Sequence, residues 1–224
     1  MKKFAVIVAG GSGSRMKSNL PKQFMLLSGK PVLMRTLEQF YLSDEDVQLI
    51  LVLPVTQISI WKELCETHTF TIAHQVVSGG VSRFESVKNG LELVANNSIV
   101  AIHDGVRPLV SLTIINTSYK VASTEGSAIA AVTLKDSIRE KNKLDTISKE
   151  RSNYYLVQTP QTFQSKLIKE AYSALKNASP NFTDDASVFE AFGKVVTLIE
   201  GDYRNLKITM PEDMQIAQAL FENS

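Results

Sequence analysis

The sequence predicts an α/β fold, a mostly parallel twisted sheet flanked by helices. Three observations carry that reading. Short apolar runs rich in β-branched residues recur along the chain, stretches with helical spacing separate them, and the first run ends in a glycine-rich loop. At 224 residues, 44% hydrophobic and 21% charged, the chain is expected to form one domain spanning 1–224 with a sizeable core. A net charge of +1 exerts no global pull toward nucleic acid or an acidic membrane, so any anion binding must be local. The one cysteine, Cys65, excludes an intramolecular disulfide and a cysteine-based zinc cluster, and its helical context marks it as a small, partly buried hydrophobe. The apolar run after Met1-Lys2-Lys3 is too short for a secretory signal or a membrane span, so the expected location is the cytoplasm.

Strand-like runs are Phe4–Val8, Val47–Leu53, Ile72–Val77, Ile99–Ile102, Ala128–Leu134 and Val195–Ile199. Helical spacing covers Pro31–Tyr41, Gln57–Thr67, Ser82–Val94, Leu112–Ser123 and Phe163–Leu175. Ligands of open α/β sheets bind beyond the carboxyl ends of the strands, so the motifs that follow strand runs matter most.

The first is Ala5–Gln23, AVIVAGGSGSRMKSNLPKQ. Gly10, Gly11 and Gly13, with Ser12 and Ser14 between them, allow backbone amides to approach an anion, and Arg15 and Lys22 add full charge. The plain alternative is a Gly/Ser surface loop with two solvated cations. A dinucleotide fingerprint fails because Met16 stands where glycine is needed. A P-loop fails because Arg15-Met16 stand where Gly-Lys is needed. What remains, G-G-S-G-S-R-M followed by P-K-Q, resembles the signature of sugar-nucleotide pyrophosphorylases and related nucleotidyltransferases.

After the third run, Gly79-Gly80 break the strand and Ser82 with Glu85 form a capping box, which puts Arg83 and Ser86 on the first turns of a helix. After the fourth come His103, Asp104, Gly105, Val106, Arg107 and Pro108. Asp104 and Arg107 form either a plain salt bridge or a pair that reads a polyol hydroxyl and a phosphate. His103 is not taken as a catalytic base, and His68 and His74 read as surface or edge residues. Residues 135–150 carry dense charge around Asn142 and read as a protruding β-arm, whose Ile138, Leu144 and Ile147 need a partner to cover them, most simply the same arm of a second copy. Phe182-Thr183-Asp184-Asp185-Ala186 reads as a helix start. In Asn205–Asp213, Lys207 points away from the face of Leu206 and Ile208, Thr209 is the expected N-cap, and Pro211 lies close to the first helical position.

Six motifs therefore stand in order: AGGSGSRM…PKQ, GGVSRFESV, HDGVRP, VQTPQ, FTDDAS and NLKITMPED. Together, over essentially the whole chain, they resemble the 2-C-methyl-D-erythritol 4-phosphate cytidylyltransferase family. The resemblance implies a Rossmann-like nucleotidyltransferase fold with a protruding dimerisation arm. It also implies transfer from CTP to methylerythritol phosphate with release of pyrophosphate, in isoprenoid precursor biosynthesis. Mg²⁺ would ride on the triphosphate, with no metal ligand assigned to the protein.

Carried onto this chain, Arg15 and Lys22 would stabilise charge on the α-phosphate. Ala9, Gly10, Gly11, Ser12 and Gly13, with Gly80, Val81 and Ser86, would hold the cytosine. Asp104 with Gly105 would read the ribose, and Asp104, Arg107, Thr183 and Lys207 would meet the acceptor. Ser137 and Arg151 would reach into the other subunit's site of a homodimer, so that Arg15, Lys22, Arg151 and Lys207 make up the catalytic cations. The chain departs from the family at Gly105-Val106, often Ala-Ala or Ala-Val, and at Ser137, often threonine. Ribitol 5-phosphate cytidylyltransferase shares the glycine loop and H-D-x-x-R-P, but the G-G-x-x-R-x-x-S-V form favours the methylerythritol enzyme. A non-catalytic nucleotide-binding regulator would not require cations at four separate places. The acceptor phosphate is already an anion near neutral pH, so no general base is needed.

Overall fold

Strand β1 (Lys3–Val8) is buried on both faces: Ala5 and Ile7 join one apolar cluster and Phe4 and Val6 another. A strand of this kind needs helices on both sides of its sheet, and the computed structural model, which describes residues 1–10, 20–175 and 182–223, has that architecture. A small hairpin, β2 (Leu26–Leu27) and β3 (Lys30–Pro31), leads into α1 (Val32–Ser43). Then come β4 (Gln48–Leu53), α2 (Ile58–Thr67), β5 (Gln75–Ser78), α3 (Arg83–Glu92), β6 (Ile99–Asp104), α4 (Leu112–Glu125) and β7 (Ser127–Thr133). The arm strands β8 (Ile138–Lys141) and β9 (Thr146–Lys149) follow, then β10 (Tyr155–Gln164), α5 (Ser165–Ala174), α6 (Asp185–Ala191), β11 (Leu198–Glu200) and α7 (Pro211–Glu222).

The main sheet runs β11-β7-β10-β6-β1-β4-β5, and every neighbouring pair is parallel except the two that β10 makes. One face buries Leu37 of α1, Trp61 of α2 and Ile115 of α4. The other buries Val87 of α3, Ile168 of α5 and Phe189 of α6. A third cluster around Leu27, Val32, Val106, Ile208 and Ala217 anchors α7 beside the end of β6. The chain reverses its direction of travel across the sheet at β1, with β4 on one side and β6 on the other. That switch point opens a crevice beyond Val8 and Asp104.

The predicted elements are all present, with shifted limits. The third run begins at Gln75 rather than Ile72, and the last strand is Leu198–Glu200. The central strand β10 is an element that periodicity missed, and Phe163 lies inside it, one residue before its end at Gln164, rather than opening a helix. Its pairing with β7 breaks between Val157 and Gln161, and its pairing with β6 starts only at Gln161. Pro160 has no amide to donate to either neighbour, so the run reads as punctuation. Capping also differs in detail. Ser82 caps α3 through Glu85 N as expected, but Glu85 Oε2 accepts from Val81 N rather than from Ser82. Met210, not Thr209, is the N-cap residue of α7, and Asp213 Oδ2 collects the Thr209 amide and hydroxyl together with the Met210 amide. His74 is partly buried, with Nε2 accepting from Trp61 Nε1 at 2.9 Å, and is not a plain edge residue. Cys65 is half-buried in α2, and burial pushes its thiol up to about 11.

Helix α3 lies against the sheet through Gly90, where an added Cβ would sit 2.6 Å from Val6 Cγ1 and 3.0 Å from Val52 Cγ2. Both neighbours are β-branched and stiff. Gly90→Ala is therefore expected to lower unfolding free energy. Overpacking of about 1–3 kcal/mol outweighs the ~1 kcal/mol gained in helix propensity. A denaturation curve showing a stabilised variant would contradict this packing.

Candidate active site

Two cavities meet at the switch point. The first, about 340 Å³, is bounded by Ala9, Gly10, Lys22, Gly80, Val81 and Ser86. The second, about 240 Å³, is bounded by Arg107, Gln158, Thr159, Thr183 and Asp184. Arg83, Asp104 and Lys207 line both.

Asp104 ends β6 and is nearly buried. Its Oδ2 accepts from Arg107 Nε at 3.0 Å and lies 3.2 Å from Lys207 Nζ. Burial opposes its ionisation, but Lys207, Arg107 and Arg83 outweigh burial and hold the carboxyl well below the usual range. Arg107 has a second fixed contact, from Nη1 to Asn205 O at 2.7 Å. Much of its fork is therefore taken up inside the protein, and it braces Asp104 more than it faces a phosphate.

The turn after β6 is set by a buried hydrogen-bond chain. Asp104 N donates to Thr159 Oγ1 at 3.1 Å. Arg107 O can only accept, so His103 Nε2 donates to it at 3.2 Å, and Nδ1 of the neutral ring accepts the Thr159 hydroxyl at 3.0 Å. Asn205 Nδ2 donates to Thr159 O and to Gln158 Oε1, which joins the segment before Lys207 to the gap in β10. Burial pushes His103 down to about 4, and the Asp104 charge offsets only part of that. His103 is therefore a neutral structural link, not a base.

On the other wall, the paired glycines have a packing reason. A Cβ on Gly79 would meet Ser86 Oγ at 2.9 Å, and one on Gly80 would meet Glu85 Cβ at 2.3 Å. The amides of Gly80 and Val81 are already taken by Ser86 Oγ and Glu85 Oε2. Ser86 Oγ gives its proton to Ser82 O, so it can offer a ligand only an acceptor. Lys22 sits in a 3-10 turn with its Nζ on Ile208 O at 2.9 Å, and Gln23 Nε2 bonds Ala9 O at 3.0 Å.

The whole chain, crevice included, is similar to proteins of a known family. The family model described as 2-C-methyl-D-erythritol 4-phosphate cytidylyltransferase matches residues 4–223. The chain belongs to that family. The cytidylyltransferase of Bacteroides fragilis is 50% identical over 216 residues, 96% of this chain and 98% of the relative. That of Phocaeicola vulgatus is 46% identical over 220 residues, 98% and 100% of the two chains. The crystal structure of 4-diphosphocytidyl-2C-methyl-D-erythritol synthase from Anaerococcus prevotii superposes with a TM-score of 0.86 at 30% identity, covering 99% of this chain and 96% of that one. The Thermus thermophilus cytidylyltransferase gives 0.82 at 27% identity, covering 99% and 100%.

Within this cytidylyltransferase, Lys22, Gly10, Gly80, Val81, Ser86, Asp104, Arg107, Thr183 and Lys207 stand at the two compartments. Gly11, Ser12, Gly13 and Arg15 lie outside the described residues. Ala9 lines the cavity, but its amide is bonded to Val52 O and its carbonyl to Gln23, so its backbone serves the fold. Gly105 does not face the crevice. A Cβ there would meet Ala9 and Leu33 at 2.9 Å, and its amide and carbonyl are bonded to Val8 and Thr36. Its glycine lets the turn pack on the core. Ser137 and Arg151 are exposed in and beside the arm, where Arg151 Nη1 donates to Lys135 O at 2.6 Å, and one chain does not bring them to the crevice. Thr159, Gln161, Asn205 and Asp185 escaped the sequence reading, although VQTPQ, FTDDAS and NLKITMPED contain them. Nothing local announces a partner that lies dozens of residues away.

His103 binds a proton near 6.5 when unfolded and near 4 when folded, so the unfolded state holds more protons between those values and stability falls as pH drops through them. The loss attributable to this ring is on the order of 3 kcal/mol. In ¹⁵N spectra of the three histidines, His103 should remain the neutral Nε2–H tautomer at pH 5.5. An imidazolium there, in folded protein, would refute the hydrogen-bond chain.

Proposed function

We propose that this chain transfers the cytidylyl group of CTP to 2-C-methyl-D-erythritol 4-phosphate, as the names of its relatives describe for them. An oxygen of the acceptor phosphate attacks the α-phosphorus of CTP and forms a new P–O bond. The bond from that phosphorus to the α,β-bridging oxygen breaks, and pyrophosphate departs with its electron pair. The product is 4-diphosphocytidyl-2-C-methyl-D-erythritol, and no proton has to be removed for the attack. The supporting observation is the shared seam of the two cavities, where Lys207 stands between a nucleotide-sized compartment and a smaller polar one. With Lys22, and with Arg15 from the glycine loop, it would lower the repulsion between two anions and hold them in line.

The first compartment suits cytosine. The remaining lone pair of Ser86 Oγ and the carbonyls of Gly80 and Val81 are acceptors, while the amides of those two residues are already engaged. They pair with the amino group of cytosine and face the O4 of uracil unfavourably. Asp104, whose carboxyl is held well below the usual range, would accept from a ribose or acceptor hydroxyl, with Thr183 on the far wall.

Among the described residues no group of three or more His, Cys, Asp or Glu is placed to hold a metal, and Asp104, the one carboxylate at the first cavity, already serves two cations. Among the described residues Asp104, committed to Arg107 and Lys207, is a poor ligand for a protein-held Mg²⁺. We assign the ion to the substrate, as Mg·CTP, in keeping with its habit of binding through phosphates and water.

The arm supports a homodimer. Leu144 is 95% exposed and Ile147 is 51% exposed, and Tyr154 to Val157 beside them are exposed as well. Two arms paired about a two-fold axis would cover these groups and carry Arg151 and Ser137 toward the partner's crevice. The working compartment is taken to be the cytoplasm. Among the described residues no helix is long and apolar enough to cross a membrane.

Purified protein with Mg²⁺ should release pyrophosphate from CTP with methylerythritol phosphate and far less with ribitol 5-phosphate. UTP should be poorer than CTP by about 10²-fold or more in kcat/KM. Equal use of both nucleotides, or preference for ribitol phosphate, would defeat the assignment.

Lys22→Ala should lower kcat by about 10²–10³. Mixed with Arg151→Ala subunits, it should recover activity in heterodimers that hold one intact site, up to about a quarter of wild type at equal mixing. A mixture that stays inactive despite proven subunit exchange would disprove the shared site.

A further inference from the structure

The transfer reaction gives no task to the carboxylate of Asp185, which is wholly buried between the two cavity walls and bonded through both oxygens. Its Oδ1 and Oδ2 accept the two arms of the Arg83 guanidinium at 2.9 and 2.7 Å, and Oδ1 also takes the Tyr172 hydroxyl at 2.6 Å. The Asp185 side chain is wholly shielded, whereas Arg83 keeps 27% of its side chain exposed. That exposed edge borders both cavities.

The two partners come from opposite walls. Arg83 opens α3 directly after Gly80, Val81 and Ser82, which line the first cavity. Asp185 opens α6 directly after Thr183 and Asp184, which line the second. The second wall is tied to the sheet by the amides of Asp185 and Ala186, which donate to Gln161 Oε1 at 2.9 and 2.8 Å. Gln161 Nε2 returns a hydrogen bond to Asp184 Oδ2 at 3.0 Å. A forked pair fixes both distance and angle between the walls, which a single-point lysine contact does not.

We propose that the Arg83–Asp185 pair is a strut that registers the Thr183–Asp184 wall, and with it the acceptor phosphate, against the nucleotide compartment. The proposal rests on the cytidylyl-transfer reading for what the second cavity holds. Arg83 is then a positioning residue that acts through Asp185. Its loss shifts one wall and leaves the capped α3 turn, and the nucleotide contacts it presents, in place.

The test compares Arg83→Lys, Asp185→Glu and Tyr172→Phe with wild type, using separate KM values for the two substrates and amide exchange over 183–189. Arg83→Lys and Asp185→Glu should each raise KM for methylerythritol phosphate about tenfold, with KM for CTP held within about twofold. Both should speed exchange at Asp185 and Ala186. Tyr172→Phe strips one hydrogen bond from the same carboxylate but keeps the fork, so it should lower thermal stability without moving either KM. Parallel rises in both KM values overturn the strut, as does a rise confined to CTP or an equal acceptor effect in Tyr172→Phe. If wild type does not turn over this substrate pair, the functional reading fails, and the exchange data alone decide the strut: unchanged protection in both fork variants overturns it.

Discussion

The carboxylate of Asp104 receives Arg107 from three residues away and Lys207 from about a hundred residues further along, and the order of the crevice depends on that convergence. A buried anion without partners would cost several kcal/mol, and so would two cations left facing each other. The turn after β6, the gap in β10 and the segment before α7 therefore have to arrive together. Thr159, His103 and Asn205 are the neutral groups that align them. With the carboxylate held charged and the imidazole held neutral, the site has fixed electrostatics across the physiological range.

That arrangement suits a reaction between two anions. Positive charge is needed where the phosphates meet, but lysines brought together without a counterion would repel one another and shift their protonation. Asp104 supplies the counterion for Arg107 and Lys207, and Asp185 does the same for Arg83. Each cation is thereby held in a fixed place, which is the preorganisation that electrostatic catalysis requires.

The interruption in β10 is the second device. An unbroken strand would commit its backbone amides and carbonyls to ladder bonds with β6 and β7. Because pairing stops between Val157 and Gln161, Thr159 O accepts from Asn205 Nδ2 instead, and Asp104 N at the end of β6 donates to Thr159 Oγ1. An irregular stretch in the middle of the sheet thus serves as the scaffold of the crevice.

The sequence by itself determined the α/β class, nearly every element and the order of the motifs, because alternating burial and helix capping are local properties written in neighbouring residues. Ser82 and Pro211 announce helix starts in this way. It also singled out Asp104, Lys22 and Lys207 as residues of a charged site. Only the tertiary structure decided that Gly105 packs on Ala9 and Leu33, that the amides of Gly80 and Val81 are already engaged, and that Arg83 reaches Asp185 from the opposite wall. Those facts depend on contacts between residues far apart in the chain. Which glycine leaves room for a ligand and which leaves room for a neighbouring side chain is settled by packing, and one residue's pattern in the sequence is the same in both cases.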